Sequence, residues 1–226
     1  MEDLSTNMKQ STSNTIRVTE MYVSVQGEST HAGRPCVFVR LTGCNLRCTW
    51  CDSTYTFTGG THVLIDDIVD QVHDYGVNLV EITGGEPLAQ KNAIELMDRL
   101  VKGGHEVLLE TSGSISVANV PQEVTIIMDL KAPGSGESDK NLWENIALLK
   151  DKDEIKIVIA SRQDYEWAKD VMVKYRLTEQ CTVLFSPVWE TIGPDQLVSW
   201  IIEDALDVRF QLQMHKIIWP EASQGV

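Results

Sequence analysis

Arg34-Pro-Cys-Val-Phe-Val-Arg-Leu-Thr-Gly43, a short apolar run, leads into Cys44-Asn-Leu-Arg-Cys48-Thr-Trp-Cys51-Asp52. This passage decides the fold. The run 34–41 has the length and β-branched content of a buried strand. The three cysteines that follow, spaced C-x3-C-x2-C, form a loop at its C-terminal end. Three thiolates on one loop cannot complete a four-ligand site. A cubane iron–sulfur cluster ordinarily takes four thiolates, so a cluster held by three keeps one iron open to an exogenous ligand. Zinc would want a fourth Cys or His at ligand spacing; His31 and His62 lie near, but no second C-x2-C pair follows. A disulfide is disfavoured because residues 1–15 are polar and carry no apolar signal-peptide core. Cys36 and Cys181 stand alone in apolar runs and read as buried, inert thiols.

Outward from that loop the chain alternates β-rich runs with amphipathic segments, the pattern of an α/β fold with a mainly parallel sheet. Strands are expected at 34–41, 78–83, 105–110, 124–129, 154–159, 182–185 and 209–214, with an additional N-terminal strand at 17–25. Helices are expected at 64–75, 93–101, 142–149, 164–175 and 194–205. Leu64, Ile65, Ile68, Val69 and Val72 mark one helical face, and Ile94, Met97, Leu100 and Val101 another. Gly103-Gly104 stops the second helix, and Pro194 suits a first turn. About six β-α repeats are too few for a closed eight-stranded barrel, so the expected architecture is an open, partial (β/α)6 barrel with chemistry at the C-terminal strand ends. Residues 1–15 are expected to be a disordered leader, and 16–226 a single domain.

Composition narrows the partners. With 226 residues, 42% of them apolar, the chain can bury a full core. A net charge of −14 argues against a nucleic-acid surface, so an anionic substrate must find its own local Arg or Lys. No apolar run approaches the roughly 20 residues of a membrane span. Five cysteines without a signal peptide suit a reducing compartment, and a cytoplasmic location is expected.

The remaining candidate residues fall at strand ends. Thr83-Gly84-Gly85-Glu86-Pro87 follows the second barrel strand, Glu110-Thr111-Ser112-Gly113 the third, and Lys131 and Lys156 accompany later ones. Two glycines let backbone approach a ligand, and a carboxylate accepts from an ammonium group. A strand-to-helix turn in any α/β protein can look like this; its pairing with the cysteine loop gives it weight.

The cysteine spacing, Trp50 and the Gly-Gly-Glu turn together resemble the radical S-adenosylmethionine superfamily. That resemblance implies that Cys44, Cys48 and Cys51 bind a 4Fe–4S cluster whose open iron takes the methionyl amine and carboxylate. It carries contacts to S-adenosylmethionine onto Gly84, Gly85, Glu86, Glu110 and Ser112, and more loosely onto Lys131 and Lys156. The flanking segments Gln26-Gly27-Glu28, Gly33-Arg-Pro-Cys-Val-Phe-Val-Arg40 and Gln213-Met-His215-Lys-Ile-Ile-Trp219 are similar, as an ordered set, to the 7-carboxy-7-deazaguanine synthase family. That family converts 6-carboxy-5,6,7,8-tetrahydropterin to 7-carboxy-7-deazaguanine on the route to queuosine and other 7-deazapurines. The implied steps are hydrogen abstraction from C6 by a 5′-deoxyadenosyl radical, magnesium-assisted ring contraction and loss of ammonia. The likeness assigns substrate contacts to Gln26, Gly27, Glu28, Arg40, Thr83 and His215, with Arg40 suited to the substrate carboxylate. It places magnesium on Ser53, with Asp52 in its outer shell. It further implies a flavodoxin or ferredoxin reductant and a homodimer. Some members end near the position of Pro220 and use the terminal carboxylate in the site, which raises the question of where the tail 220–226 lies. No conventional acid–base pair stands out. A glycyl-radical-activating enzyme would share the cysteine loop but would not need Gln26, Glu28 and His215; an electron carrier would need a fourth thiolate.

Overall fold

The computed structural model describes residues 14–222 and 224–226. The expected leader falls, for residues 1–13, outside the described residues, and Thr15 already belongs to the first strand.

Among the described residues nine strands form one sheet: β1 (Thr15–Val25), β2 (Pro35–Leu41), β3 (Thr61–Leu64), β4 (Leu79–Gly84), β5 (Glu106–Thr111), β6 (Thr125–Leu130), β7 (Glu154–Ile159), β8 (Thr182–Pro187) and β9 (Arg209–Phe210). Their order is β3-β1-β2-β4-β5-β6-β7-β8-β9. From β2 onward every neighbour is parallel, and each connection moves one place in the same direction, the winding of a (β/α) barrel. β1 runs antiparallel to both β2 and β3, and the two edges do not meet. The expected open, partial barrel is what forms.

Period-two alternation gives the sheet two unlike faces. Val37, Val39, Ile82, Leu109, Met128 and Ile157 belong to the large core beneath the helices. Against them lie α1 (Ile65–Asp74), burying Ile65, Ile68 and Val72, and α2 (Ala93–Lys102), burying Ala93, Leu96, Met97 and Leu100. Each of these fully buried Ile, Val, Leu and Met side chains contributes roughly 1.5–3 kcal/mol. α3 (Arg162–Tyr175) starts at Ser161, whose hydroxyl accepts from the Asp164 amide at 3.2 Å. The short α4 (Leu177–Gln180), α5 (Pro194–Glu203) and α6 (Met214–Ile218) complete the helices. On the opposite, inner face Cys36, Phe38, Leu79, Leu108 and Ile127 form a smaller apolar cluster. Further along the same strands this face turns polar, with Arg40, Glu81, Thr83, Glu110, Asp129 and Lys156. An apolar floor under a polar mouth follows from the strand sequences.

Three local expectations change. The segment 142–149 is a run of 3-10 turns (Trp143–Leu148), not an α-helix. Asn145 is the cause: its amide donates to the carbonyls of Gly113 and Ile115 at 3.1 and 2.9 Å and accepts from Val117 N at 3.1 Å. Those tertiary bonds outweigh helical propensity. The expected strand 209–214 is two residues long, because Met214 N bonds Gly27 O at 2.9 Å and the chain leaves the sheet to begin α6. His215 is therefore helical. The four-residue edge strand β3 was too short to read from alternation.

Candidate active site

Cys44, Cys48 and Cys51 stand on the loop leaving β2, half-exposed, unbridged and all lining one cleft at the C-terminal end of the parallel strands. The loop is tied at Gly43 N–Thr56 O (2.7 Å), Thr49 N–Ser135 O (2.9 Å) and Arg47 N–Glu137 Oε1 (2.6 Å). The Gly84-Gly85 turn packs directly against it. A Cβ on Gly85 would sit 2.3 Å from Gly43 O and 2.7 Å from Cys44 Cβ, so only glycine fits. Among the described residues no three Cys, His, Asp or Glu side chains gather closely enough to hold a bare ion. A four-iron cluster spreads its thiolates over separate corner irons, so its ligands need not converge on one point. Three free thiols on one braced loop, beside a glycine cradle, fit such a cluster. Burial pushes the Cys44 and Cys48 thiols up, and the Lys131 charge pulls both back toward thiolate.

The polar mouth is organised around Lys156 on β7. Its side chain is 6% exposed; its ammonium donates to Glu28 Oε2 at 2.8 Å and to Glu110, with Asp129 Oδ2 at 3.9 Å. Thr83 Oγ1 donates to Glu110 at 3.1 Å. Burial alone would raise the Glu110 carboxyl; the charge and hydrogen bond of Lys156, helped by Thr83, hold it down to about 2. Those carboxylates in turn keep Lys156 protonated against its burial. Lys131 pairs with Asp129 at 2.8 Å.

Glu81 on β4 was not anticipated. It is buried, lines the cleft and accepts a hydrogen bond from Gln26 Nε2. Burial pushes its carboxyl up, and the charges of Glu110 and Glu28 add to that, to about 8. Gln26 Oε1 in turn accepts from Glu28 N at 2.5 Å, so Glu81 anchors the Gln26-Gly27-Glu28 turn. The available signal was period-two alternation: Glu81 stands two residues before Thr83 and shares its face.

Glu86 is placed differently from its companions. It is 0% exposed and does not line the cleft. Its carboxylate accepts from Leu88 N (2.9 Å), Thr111 Oγ1 (2.9 Å), Ser112 N (2.8 Å) and the Ser112 hydroxyl. It locks the turn after β4 to the turn after β5 from beneath, leaving the Gly84-Gly85 backbone and Ser112 to face a ligand.

The C-terminal segment closes the cleft from the other side. His215 packs on Gly27, where a Cβ would lie 2.5 Å from His215 Nδ1. Burial holds the imidazole below its ordinary value, opposed by Glu28. Gln213 Nε2 bridges Glu28 Oε1 (3.0 Å) and Asp52 Oδ2 (3.1 Å), and Lys216 Nζ meets Asp52 Oδ2 at 2.9 Å. Crowding by neighbouring atoms favours the neutral form of Asp52, whose side chain is 49% exposed, yet the Lys216 charge and these hydrogen bonds hold it well below the usual carboxylate range. Ser53 Oγ donates to Asp52 Oδ1 at 3.0 Å and lines the cleft. The tail also reaches back, with Tyr22 OH donating to Val226 O at 3.0 Å. Arg40 lines the opposite wall, its Nε bonded to Glu20 Oε1 and its Nη2 to Tyr22 OH, both at 2.8 Å. Every residue expected in the site except Glu86 thus faces one cleft of about 650 Å³. Gln213 and Lys216 went unassigned, although they flank His215 in the segment already singled out.

Comparison with known proteins agrees with this geometry. The sequence profile of the Radical SAM superfamily matches residues 38–174. The 7-carboxy-7-deazaguanine synthase of Koribacter versatilis is 46% identical over 226 residues, covering 93% of this chain and all of that protein. That of Chlorobaculum tepidum is 41% identical, covering 96% and 100%. The crystal structure of QueE from Escherichia coli superposes with a TM-score of 0.74 at 22% identity, over 94% of this chain and all of that one, which speaks to the fold.

Proposed function

The chain belongs to the 7-carboxy-7-deazaguanine synthase family of the radical S-adenosylmethionine superfamily, and from that premise we propose that it converts 6-carboxy-5,6,7,8-tetrahydropterin to 7-carboxy-7-deazaguanine with loss of ammonia. The observation that carries this reading is the single cleft in which the three cysteines, a glycine cradle and an Arg/Glu/His-lined wall meet. Its volume of about 650 Å³ is in the range that takes a nucleoside-sized cofactor and a flat heterocycle together.

Cys44, Cys48 and Cys51 would hold a 4Fe–4S cluster, which together with S-adenosylmethionine would supply the radical chemistry for hydrogen removal from the pterin. The residues of this chain bind, orient and exclude water. The Gly84-Gly85 backbone and Ser112 flank the methionyl end, with Glu86 fixing both turns from below. Glu110, Lys131 and Lys156 set the charge beneath the ribose side. Gln26 and Glu28 meet the aminopyrimidinone edge, since a carboxylate accepts readily from adjacent N–H groups. Gly27 lets His215 close on that edge, and Thr83 adds a hydroxyl. Arg40 takes the substrate carboxylate, and Ser53 offers a hard oxygen for magnesium with Asp52 behind it, the kind of ligand that ion prefers. A flavodoxin or ferredoxin donor, a homodimer and a cytoplasmic setting complete the reading; among the described residues no helix is long and apolar enough to cross a membrane.

Anaerobic turnover of the reconstituted protein with S-adenosylmethionine, dithionite, magnesium and the pterin, followed by mass spectrometry, tests it. The expected product is 7-carboxy-7-deazaguanine, absent with Cys48→Ala. Formation of 5′-deoxyadenosine without that product would overturn the substrate assignment and leave the superfamily chemistry standing.

A further inference from the structure

The wall that holds Arg40 contains a carboxylate with no role so far. Glu20 lies on β1 directly opposite Arg40 in the antiparallel pairing with β2. Ile16 and Val18 of the same strand belong to the helix-side core, and simple alternation would send Glu20 there too. The pairing register shifts between Val18 and Glu20, and this bulge turns the strand's phase over. Met21 then packs against the helix-side core, while Tyr22 joins the inner apolar cluster and stacks on Phe38 at 5.1 Å. Glu20 and Tyr22 are thereby brought to the inner face, beside and behind Arg40, which itself lines the cleft.

There a single oxygen serves two donors. Glu20 Oε1 accepts from Arg40 Nε at 2.8 Å and from Tyr55 OH at 2.8 Å. Tyr55 belongs to the 3-10 turn Thr54–Thr56 that Ser53 opens. Arg40 and Glu20 are 15% and 18% exposed at their side chains, so the contact is largely screened from solvent. Nε and Nη2 form one edge of a guanidinium; here that edge is committed to Glu20 and Tyr22. The end-on Nη1–Nη2 edge is then the one directed to a ligand, in the geometry that suits a carboxylate.

We propose that Glu20 is a positioning residue that fixes Arg40 and Tyr55 through one carboxylate oxygen, so that the Arg40 fork and the Ser53–Tyr55 turn form one prearranged site for the substrate's carboxylate. The proposal rests on the substrate reading above and adds the residue that sets selectivity for the carboxylate-bearing pterin. A bulge that costs ladder regularity is explained by the partner it delivers to Arg40.

The test is calorimetric binding, under anaerobic conditions without reductant, to the cluster-loaded protein saturated with S-adenosylmethionine. Two probes are compared: 6-carboxy-5,6,7,8-tetrahydropterin and its 6-hydroxymethyl counterpart, which lacks the carboxylate. Glu20→Ala is expected to weaken the carboxylate ligand roughly 10–100-fold, the usual effect of removing an orienting partner, and to leave the hydroxymethyl ligand within about twofold. Tyr55→Phe should weaken the carboxylate ligand several-fold with the same selectivity. Glu20→Gln, which keeps an acceptor oxygen, should fall between Glu20→Ala and the parent. Equal weakening of both ligands, or unchanged or tighter binding of the carboxylate ligand, would overturn the proposal. If Glu20→Ala does not fold, Tyr55→Phe and Glu20→Gln decide. If the parent protein binds neither pterin, the substrate reading itself falls, and this proposal with it.

Discussion

Replacing Lys156 by methionine removes the cation on which the polar mouth is built while keeping the length and apolar stem of the side chain. The Lys156 side chain is 6% exposed, and its ammonium sits 2.8 Å from Glu28, against Glu110, and 3.9 Å from Asp129. Lys131 remains, but it is already paired with Asp129. The variant therefore strands Glu28 and Glu110 without their counter-ion, close to the buried carboxyl of Glu81. Removing one partner of a buried pair costs roughly 3–5 kcal/mol, because the remaining charge stays desolvated. For a domain of this size each kcal/mol moves the melting temperature by roughly 2–4 °C, so Lys156→Met should melt about 6–20 °C lower near neutral pH. The sign of the pH dependence follows from Glu110. Its folded carboxyl is held down to about 2, so its pairing stabilises the parent above the unfolded carboxyl value and is lost as pH falls toward 2. In the variant the stranded carboxylates protonate more readily, so the gap between the two proteins should be large at pH 7.5 and shrink at pH 4. Adding Glu110→Gln to the variant should recover part of the loss. Thermal denaturation of the three proteins at both pH values checks this. Equal melting temperatures at pH 7.5, or a gap that widens on acidification, would refute the reasoning.

Glu81→Gln tests the raised carboxyl: the folded protein holds that proton up to about pH 8, whereas the unfolded chain releases it near the ordinary carboxylate value. Parent stability should therefore fall relative to the glutamine variant as pH rises through that window, by roughly 4–5 kcal/mol at pH 8.5 and by less than about 1 kcal/mol at pH 5, read by denaturant unfolding. Gly85→Ala drives a methyl group into Gly43 O and Cys44 Cβ, and iron content after reconstitution should drop sharply while the fold, followed by circular dichroism, persists. Ser161→Ala deletes the cap of α3 and should cost roughly 1 kcal/mol in denaturant unfolding with cluster loading unchanged.

The cysteine spacing, the order of strands β2, β4, β5, β6, β7 and β8 and the strand-end position of nearly every site residue were legible in the chain, because they depend on short-range rules. A parallel strand between two helices must be apolar on its outer face, and its last inward residues must point at the mouth; Arg40, Thr83, Glu110 and Lys156 obey that geometry. Other features were settled only by contacts between residues far apart in sequence. Asn145 turns an apparent helix into 3-10 turns by bonding to the 113–117 loop, and the Met214–Gly27 bond draws the expected strand residues 211–214 off the sheet. Glu86, adjacent to two ligand-facing glycines, points away from the cleft because Thr111 and Ser112 offer it buried donors. Glu20 reaches Arg40, behind the cleft lining, only because a one-residue shift in pairing reverses the strand's phase. Period and spacing in the chain encode the long strands, the amphipathic helices and the end that carries the chemistry, but not the edge strand β3 or the 3-10 turns at 143–148. Which oxygen meets which donor was decided by the tertiary structure, because burial makes an unpartnered polar group costly and so selects partners that no local pattern can announce.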